Sequence, residues 1–311
     1  MFRLQTYFRE NREWTVPLTA GLVSGVAIAG GFNPWDRALY LSVRDKAPFL
    51  HRGNWGSPYQ GFSAAVVQRT LSGSGWFVFN DWILGQLVRM RTGEEPPQVP
   101  SELRAAATAG ETFLAANLAG ALNGFLLNPI SVVKYHQWGL DEAAQKGYFA
   151  SAKALVAERG GSFRPLIRAL ETTIARDVVF GAVFATTRGA LAKPLADVVD
   201  PLVGGPGTAS FMASMIAAAL ATVCSSPLNY VRNVKYASSN AVRSPSILSV
   251  LSAFANELRS VDSPLRHVIA RFHIGWGTAR VAVGMAVGWE LYDLCKAVVL
   301  RFVDQDQDDD V

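Results

Sequence analysis

Six stretches of this chain, about 17–44, 61–89, 111–137, 169–195, 207–236 and 274–302, are mainly apolar. Each has the length of a membrane-crossing helix, which needs roughly 20 mostly apolar residues. Each also carries charges, and a charge inside a membrane segment normally faces a bundle interior or a wet cavity. The pattern predicts long helices with an apolar outer side and a polar inner side. Three of the six close on a proline, and those prolines are 95 and 98 residues apart. They stand in Asn33-Pro34-Trp35-Asp36-Arg37, in Asn128-Pro129-Ile130-Ser131 running to Lys134, and in Ser226-Pro227-Leu228-Asn229 running to Arg232. Thirteen and nine residues before each proline stand small residues: Gly21 and Gly25, Ala116 and Gly120, Ser214 and Ala218. That spacing lets helix backbones approach closely in lipid. A recurrence of this length defines a threefold repeat.

Each repeat reads as an odd helix, a connector and an even helix. In the second repeat, residues 147–161 predict a short amphipathic surface helix. Phe149, Ala152, Leu155 and Val156 share its apolar face, and Gly160 is its C-terminal stop. Ile247 to Leu258 is the counterpart in the third repeat. The first repeat has only a Gly/Pro-rich segment at 45–58, too broken for a helix. Pro34 to Gly61 spans 27 residues, against 40 from Pro129 to Ala169 and 46 from Pro227 to His273. The first repeat is therefore expected to lack its surface helix, leaving Phe49, Leu50 and Trp55 as uncovered apolar groups in a notch. Such patches mark interaction sites, so a protein or lipid neighbour is expected there. The even helices carry Arg69, Arg176 and Arg280 one to two turns in, followed by Phe77 and Phe79, Phe180 and Phe184, then Trp289 and Tyr292.

Composition narrows the class. The chain is 50% hydrophobic and 17% charged, with mean hydropathy +0.18, whereas soluble domains run near 25% charged. Its net charge is +4, yet no basic block interleaved with aromatics points to nucleic acid. Basic loops beside a membrane orient the protein or meet anionic headgroups. Cys224 and Cys295 lie in apolar stretches and are expected as buried thiols. His51, His136, His267 and His273 lack metal-ligand spacing, so no metal is expected. Ser72-Gly73-Ser74-Gly75 lacks the Lys of a phosphate loop and reads as a close-packing site. The N-terminus lacks the apolar core of a secretory signal, and residues 304–311 form an acidic tail. With no nucleophile–base constellation, no enzyme is expected.

The Pro-anchored segments, the central arginines and the ending Tyr292-Asp293-Leu294-Cys295-Lys296 resemble the mitochondrial carrier family. There, odd helices close with Pro-x-Asp/Glu-x-x-Lys/Arg, and even helices end with Tyr-Asp-x-x-Lys. The resemblance covers essentially the whole chain. It implies an all-α membrane protein with six transmembrane helices in three pseudo-symmetric two-helix repeats around a central cavity. Short matrix-side surface helices belong to repeats 2 and 3. The repeats fall at 1–100, 101–200 and 201–303, with the tail at 304–311, all in one membrane domain. The family also implies the mitochondrial inner membrane, with both termini in the intermembrane space. Kinks at Pro34, Pro129 and Pro227 would draw three helices together at one end.

Departures from the family pattern are as informative. The matrix gate of Asp36, Lys134 and Arg232 retains the makings of one ion pair, Asp36–Lys134. Ser131 and Asn229 replace the other two acids, and Leu39 replaces the third base. A close pair contributes roughly 4 kcal/mol of Coulomb attraction at an effective dielectric of ~20 before desolvation, so such losses matter. At the other end only the third repeat keeps Tyr292, Asp293 and Lys296. The first keeps Asp81 with Leu84 at the basic position, and the second has Gly189 and Ala192.

The family's substrate contact points fall on Gln68, Arg69, Arg176, Asp177 and Arg280. They form either an anion site modulated by Asp177 and Glu171, or helix–helix glue. Tyr59 and Gly61 fall where the family binds cardiolipin at a helix start. The degraded gates favour an accessory subunit of an inner-membrane, respiratory-type assembly with little or no transport. The alternative is a working solute carrier for a small anionic metabolite or nucleotide.

Overall fold

The computed structural model describes residues 12–97, 102–103, 106–140, 147–157, 161–203, 208–238 and 244–304. Every regular element among them is a helix. Six are long: α1 (Arg12–Arg44), α2 (Phe62–Thr92), α3 (Ala109–Gly139), α5 (Leu170–Val203), α6 (Thr208–Ala237) and α9 (Trp276–Asp304). Three are short: α4 (Tyr148–Ala157), α7 (Ile247–Arg259) and α8 (Pro264–Arg271). The acidic residues 305–311, Gly160 and the N-terminal 1–11 lie outside the described residues, as do the side chains of Phe77, Trp289 and Asp293.

The long helices have 29 to 34 residues, which is about 45 Å at 1.5 Å per residue. Each packs on the next in chain order, and α9 packs back on α1, closing a ring. Of the six stretches expected to cross a membrane, α3 and Phe211–Ala237 of α6 are long and apolar enough. The prolines do not end their helices, contrary to the sequence expectation. Pro34, Pro129 and Pro227 lie inside α1, α3 and α6, and all three helices run ten residues further.

A second recurrence appears where the even helices begin. Gly61, Ala169 and His273 precede α2, α5 and α9, and all three are left-handed, with φ of 67°, 58° and 54°. That conformation costs a non-glycine residue roughly 1–2 kcal/mol, so packing holds the turn in the second and third repeats. In the first and second repeats the asparagine before the proline braces this turn. Asn33 Nδ2 donates to Pro58 O (2.8 Å), just before α2. Asn128 Nδ2 donates to Leu166 O and Arg168 O (both 3.1 Å), just before α5.

The first repeat has no regular surface helix between residues 45 and 58; a single 3-10 turn at Arg52–Trp55 stands there instead. The loop is nonetheless well packed. Arg37 donates to Asn54 O (3.4 Å) and Gly56 O, and Asn54 Nδ2 donates to Pro48 O (2.8 Å). Phe49, expected to be uncovered, is buried against Trp276, Trp55 and Trp35 (ring centroids 5.1, 5.2 and 6.3 Å). Leu50 remains 65% exposed and Trp55 37%. The notch is therefore smaller than expected, because an aromatic cluster replaces the missing helix.

Two further corrections concern helix faces. α4 buries Leu155 and packs Ala152 on the core as expected, but it also buries Ser151 and leaves Phe149 84% exposed, so its buried face is shifted away from Phe149. Cys224 is exposed rather than buried, and Cys295 is intermediate.

The small-residue positions also differ. A Cβ on Gly25 would stand 2.9 Å from Thr70 Cα, whereas nothing lies within 4 Å of one on Gly120. Gly25→Ala therefore forces α1 off α2 and is expected to cost about 1–3 kcal/mol. Gly120→Ala gains helix propensity of up to about 1 kcal/mol. Thermal unfolding of the two variants in detergent should move in opposite directions; equal shifts would contradict the α1–α2 contact.

Most apolar burial lies past the prolines, at one end of the ring. Tyr40, Leu41, Val132, Val133, Tyr135, Trp138, Leu155 and Tyr236 form one cluster. Val43, Tyr230, Val231, Val250 and Phe254 form another under α7. Elsewhere the outward faces are apolar yet uncovered, as at Val23 and Val26 of α1, Leu114 and Leu118 of α3, and Ile216 and Leu220 of α6.

Candidate functional site

The ring encloses a cavity of about 1400 Å³ lined by all six long helices. Its described lining holds six cations (Arg69, Lys134, Arg176, Arg188, Arg232, Arg280) and two carboxylates (Asp36, Asp177). In the middle of the long helices these charged residues line the cavity, while Val23, Val26, Leu114, Leu118, Ile216 and Leu220 are exposed and do not line it.

Asp36 of α1 is the hub. Arg280 Nε of α9 lies 2.5 Å from Asp36 Oδ1, and its Nη2 donates to Oδ2 at 2.7 Å. Arg69 Nη2 of α2 also reaches Oδ2, at 2.9 Å. One carboxylate thus ties three neighbouring helices. The Asp36–Lys134 pair expected from the sequence is not among the ion pairs of the described residues. Arg69 and Arg280, from the two helices packed on α1, occupy the carboxylate instead. Lys134 instead donates to Gln68 Oε1, with its Nζ 4.7 Å from the Trp138 ring centroid and 4.9 Å from that of Tyr135.

Arg176 donates to its neighbour Asp177 (Nε to Oδ1, 2.8 Å), and Asp177 in turn lies against α3. A Cβ on Gly124 would stand 2.7 Å from Asp177 Oδ2, and one on Gly284 would stand 2.6 Å from Arg280 Nη1. These two glycines make room for the charged groups. Glu171, expected beside the cavity arginines, is not among the residues lining the cavity. It bonds Lys235, which is buried, and ties α5 to α6.

Arg232 of α6 donates to Asn229 Oδ1 (2.6 Å) and Tyr135 OH (3.1 Å). Beneath it the end of the ring is shut by aromatic rings. Tyr135 stacks on Tyr236 (centroids 4.5 Å apart) and meets Tyr40 edge-on at 4.8 Å, and Trp138 packs on both Tyr135 (5.0 Å) and Tyr40 (5.9 Å). All four are buried. Tyr236 OH donates to Asn128 Oδ1 (2.9 Å). This closure was missed in the sequence. Its signal was the pair Tyr40 and Tyr135, each six residues past its proline, with Trp138 and Tyr236 each nine residues past theirs.

At the opposite end, Asp81, Tyr292 and Lys296 do not line the cavity, and Lys296 is exposed. No ion pair among the described residues involves Lys296. Arg91 ties α2 to α3 there through Glu111 (2.8 Å). Tyr59 is 56% exposed, while Gly61 packs on the Trp138 indole and Gln60 turns inward to Gln137 O and Leu140 O. Ser72 accepts from Asn123 Nδ2 of α3 (3.1 Å), a helix-packing contact. No group of three or more His, Cys, Asp or Glu is placed to hold a metal among the described residues. No protein-family model and no curated protein matches this chain.

Proposed function

We propose that this chain is a multi-pass protein of the mitochondrial inner membrane with carrier architecture, six spans in three repeats, and that its central cavity takes up a small anionic solute. One observation carries this reading: the molecule is polar and cationic inside, six cations against two carboxylates, and apolar outside. A soluble helical bundle has the reverse arrangement. The two helices long and apolar enough to cross a membrane support it, since only 28% and 33% of their apolar windows is buried. A wet cavity is the usual place for charges in membrane helices, and excess positive charge there concentrates anions.

The aromatic floor bears on the choice between carrier and accessory subunit. Missing ion pairs suggest a gate that no longer closes, yet Tyr40, Tyr135, Trp138 and Tyr236 close that end by packing. A carrier needs two closures of comparable stability that a ligand can bias, and rings over cations supply one of them. The accessory-subunit reading keeps one specific support, the exposed Leu50 and Trp55 on the first repeat. That face is also where we place a protein neighbour or cardiolipin, with Tyr59 beside it.

Reconstitution into liposomes tests the proposal. Uptake of labelled phosphate, dicarboxylates or nucleotides should saturate, and Arg176→Ala should reduce it at least tenfold. No uptake of any of these anions, combined with native migration only inside a larger complex, would overturn it in favour of the accessory subunit.

A further inference from the structure

We infer that the cavity floor is itself a binding site for an oxyanion, a carboxylate or phosphate group of the solute, and that this group completes the closure. The inference rests on the anion-cavity reading above and locates its anchor below the central arginines. Lys134 and Arg232 are 5% and 9% exposed. Neither lies within ion-pair distance of a carboxylate among the described residues, since Asp36 is held by Arg69 and Arg280. A buried cation without a counter-charge is costly, and here two of them face the same ring, that of Tyr135 (4.9 and 5.6 Å from its centroid).

Arg232 supplies the second, independent observation. Its Nη2 is used by Asn229 and Tyr135, but its Nε is buried with no hydrogen-bond partner. The Nε–H is thus a spare donor on a buried guanidinium, and charge-assisted hydrogen bonds from arginine to carboxylate or phosphate are strong. The acid that would neutralise Lys134, Asp36, is held by Arg69 and Arg280. Ser131 stands at the acid position facing Arg232, and among the described residues Arg232 bonds only the neutral Asn229 and Tyr135. A solute oxyanion therefore takes the place of the absent side-chain carboxylate between α3 and α6. Its arrival draws Lys134 and Arg232 together over the tyrosines, so that a loaded floor is more firmly closed than an empty one. Gln68, which accepts from Lys134 and donates to Ser131 Oγ (2.7 Å), holds the lysine ready from α2.

The test uses the purified full chain in detergent, with inorganic phosphate and succinate as separate probes against chloride at matched ionic strength. Thermal unfolding and equilibrium binding are read on wild type, Arg232→Gln, Asn229→Asp and Arg176→Gln. Wild type should gain thermal stability from at least one probe. Arg232→Gln should weaken its binding at least tenfold. Asn229→Asp restores an internal acid beside Arg232, so it should melt higher without the probe and lose at least tenfold in affinity. That variant guards against misfolding as the explanation, because its gain and its loss have opposite signs. Unchanged affinity in Arg232→Gln and Asn229→Asp, with loss only in Arg176→Gln, would place the anion higher and overturn the floor site while leaving the cavity reading intact. No binding of either probe by wild type would overturn the floor site, and the uptake assay would then decide the cavity reading separately.

Discussion

Asp36→Asn should be the most destabilising single change of charge in the cavity. The substitution keeps the shape and removes the one carboxylate that holds Arg69 and Arg280 on opposite sides of α1. Removing one partner of a buried ion pair typically costs about 3–5 kcal/mol, because the remaining charge stays desolvated. The effect should sit near the lower end of that range, since the Arg69 side chain is 36% exposed and can turn to water. Arg280 cannot, at 7% exposed and packed 4.8 Å from the Phe32 ring centroid. Removing that stranded charge should rescue the variant. In a double-mutant cycle, Asp36→Asn with Arg280→Met should recover more than 1 kcal/mol of the loss, whereas additive melting shifts would show that Asp36 and Arg280 do not share an interaction.

Trp138→Ala should open the floor. The indole is 1% exposed and wedged among Tyr40, Tyr135, the Lys134 ammonium and the backbone of Gly61. Phe/Trp→Ala changes in packed cores cost about 3–5 kcal/mol. Here the void also lies in the layer that separates the cavity from the far side. The expected result is a lower melting temperature together with a small-anion leak from liposomes that no longer saturates. Phe149→Ala, at an 84% exposed site on α4, serves as the comparison and should change stability by less than about 0.5 kcal/mol. A tight vesicle with Trp138→Ala would show that closure resides elsewhere.

Much of the helical layout was legible from one-dimensional pattern. Apolar stretches near 30 residues, small residues at fixed distances and three prolines spaced almost equally are local or periodic features, so helix number and connector length follow from counting. The short loop of the first repeat was readable for the same reason. Boundaries were less so: the odd helices run through their prolines, because a proline's missing N–H removes a single bond that a packed helix tolerates. Gly25 and Gly120 occupy the same repeat position, yet only Gly25 meets a neighbouring backbone. A small residue permits close approach without producing it.

The candidate site divides along the same line. That Asp36, Lys134, Arg176, Arg232 and Arg280 would face one interior was determined by sequence, because charge is expelled from the apolar outer faces of such helices. Which of them pair was not. Pairing depends on distances across a ring of six helices, and there Arg69 and Arg280 reach Asp36 while Lys134 settles on Gln68 and two aromatic rings. The same holds for Glu171, whose partner Lys235 is 64 residues away in the chain. The sequence by itself determined the long helices, the threefold recurrence of the Pro-anchored segments and the surplus of positive charge among the cavity-lining residues. Only the tertiary structure decided that rings rather than ion pairs close one end, since side chains 95 or more residues apart must converge before stacking can replace charge.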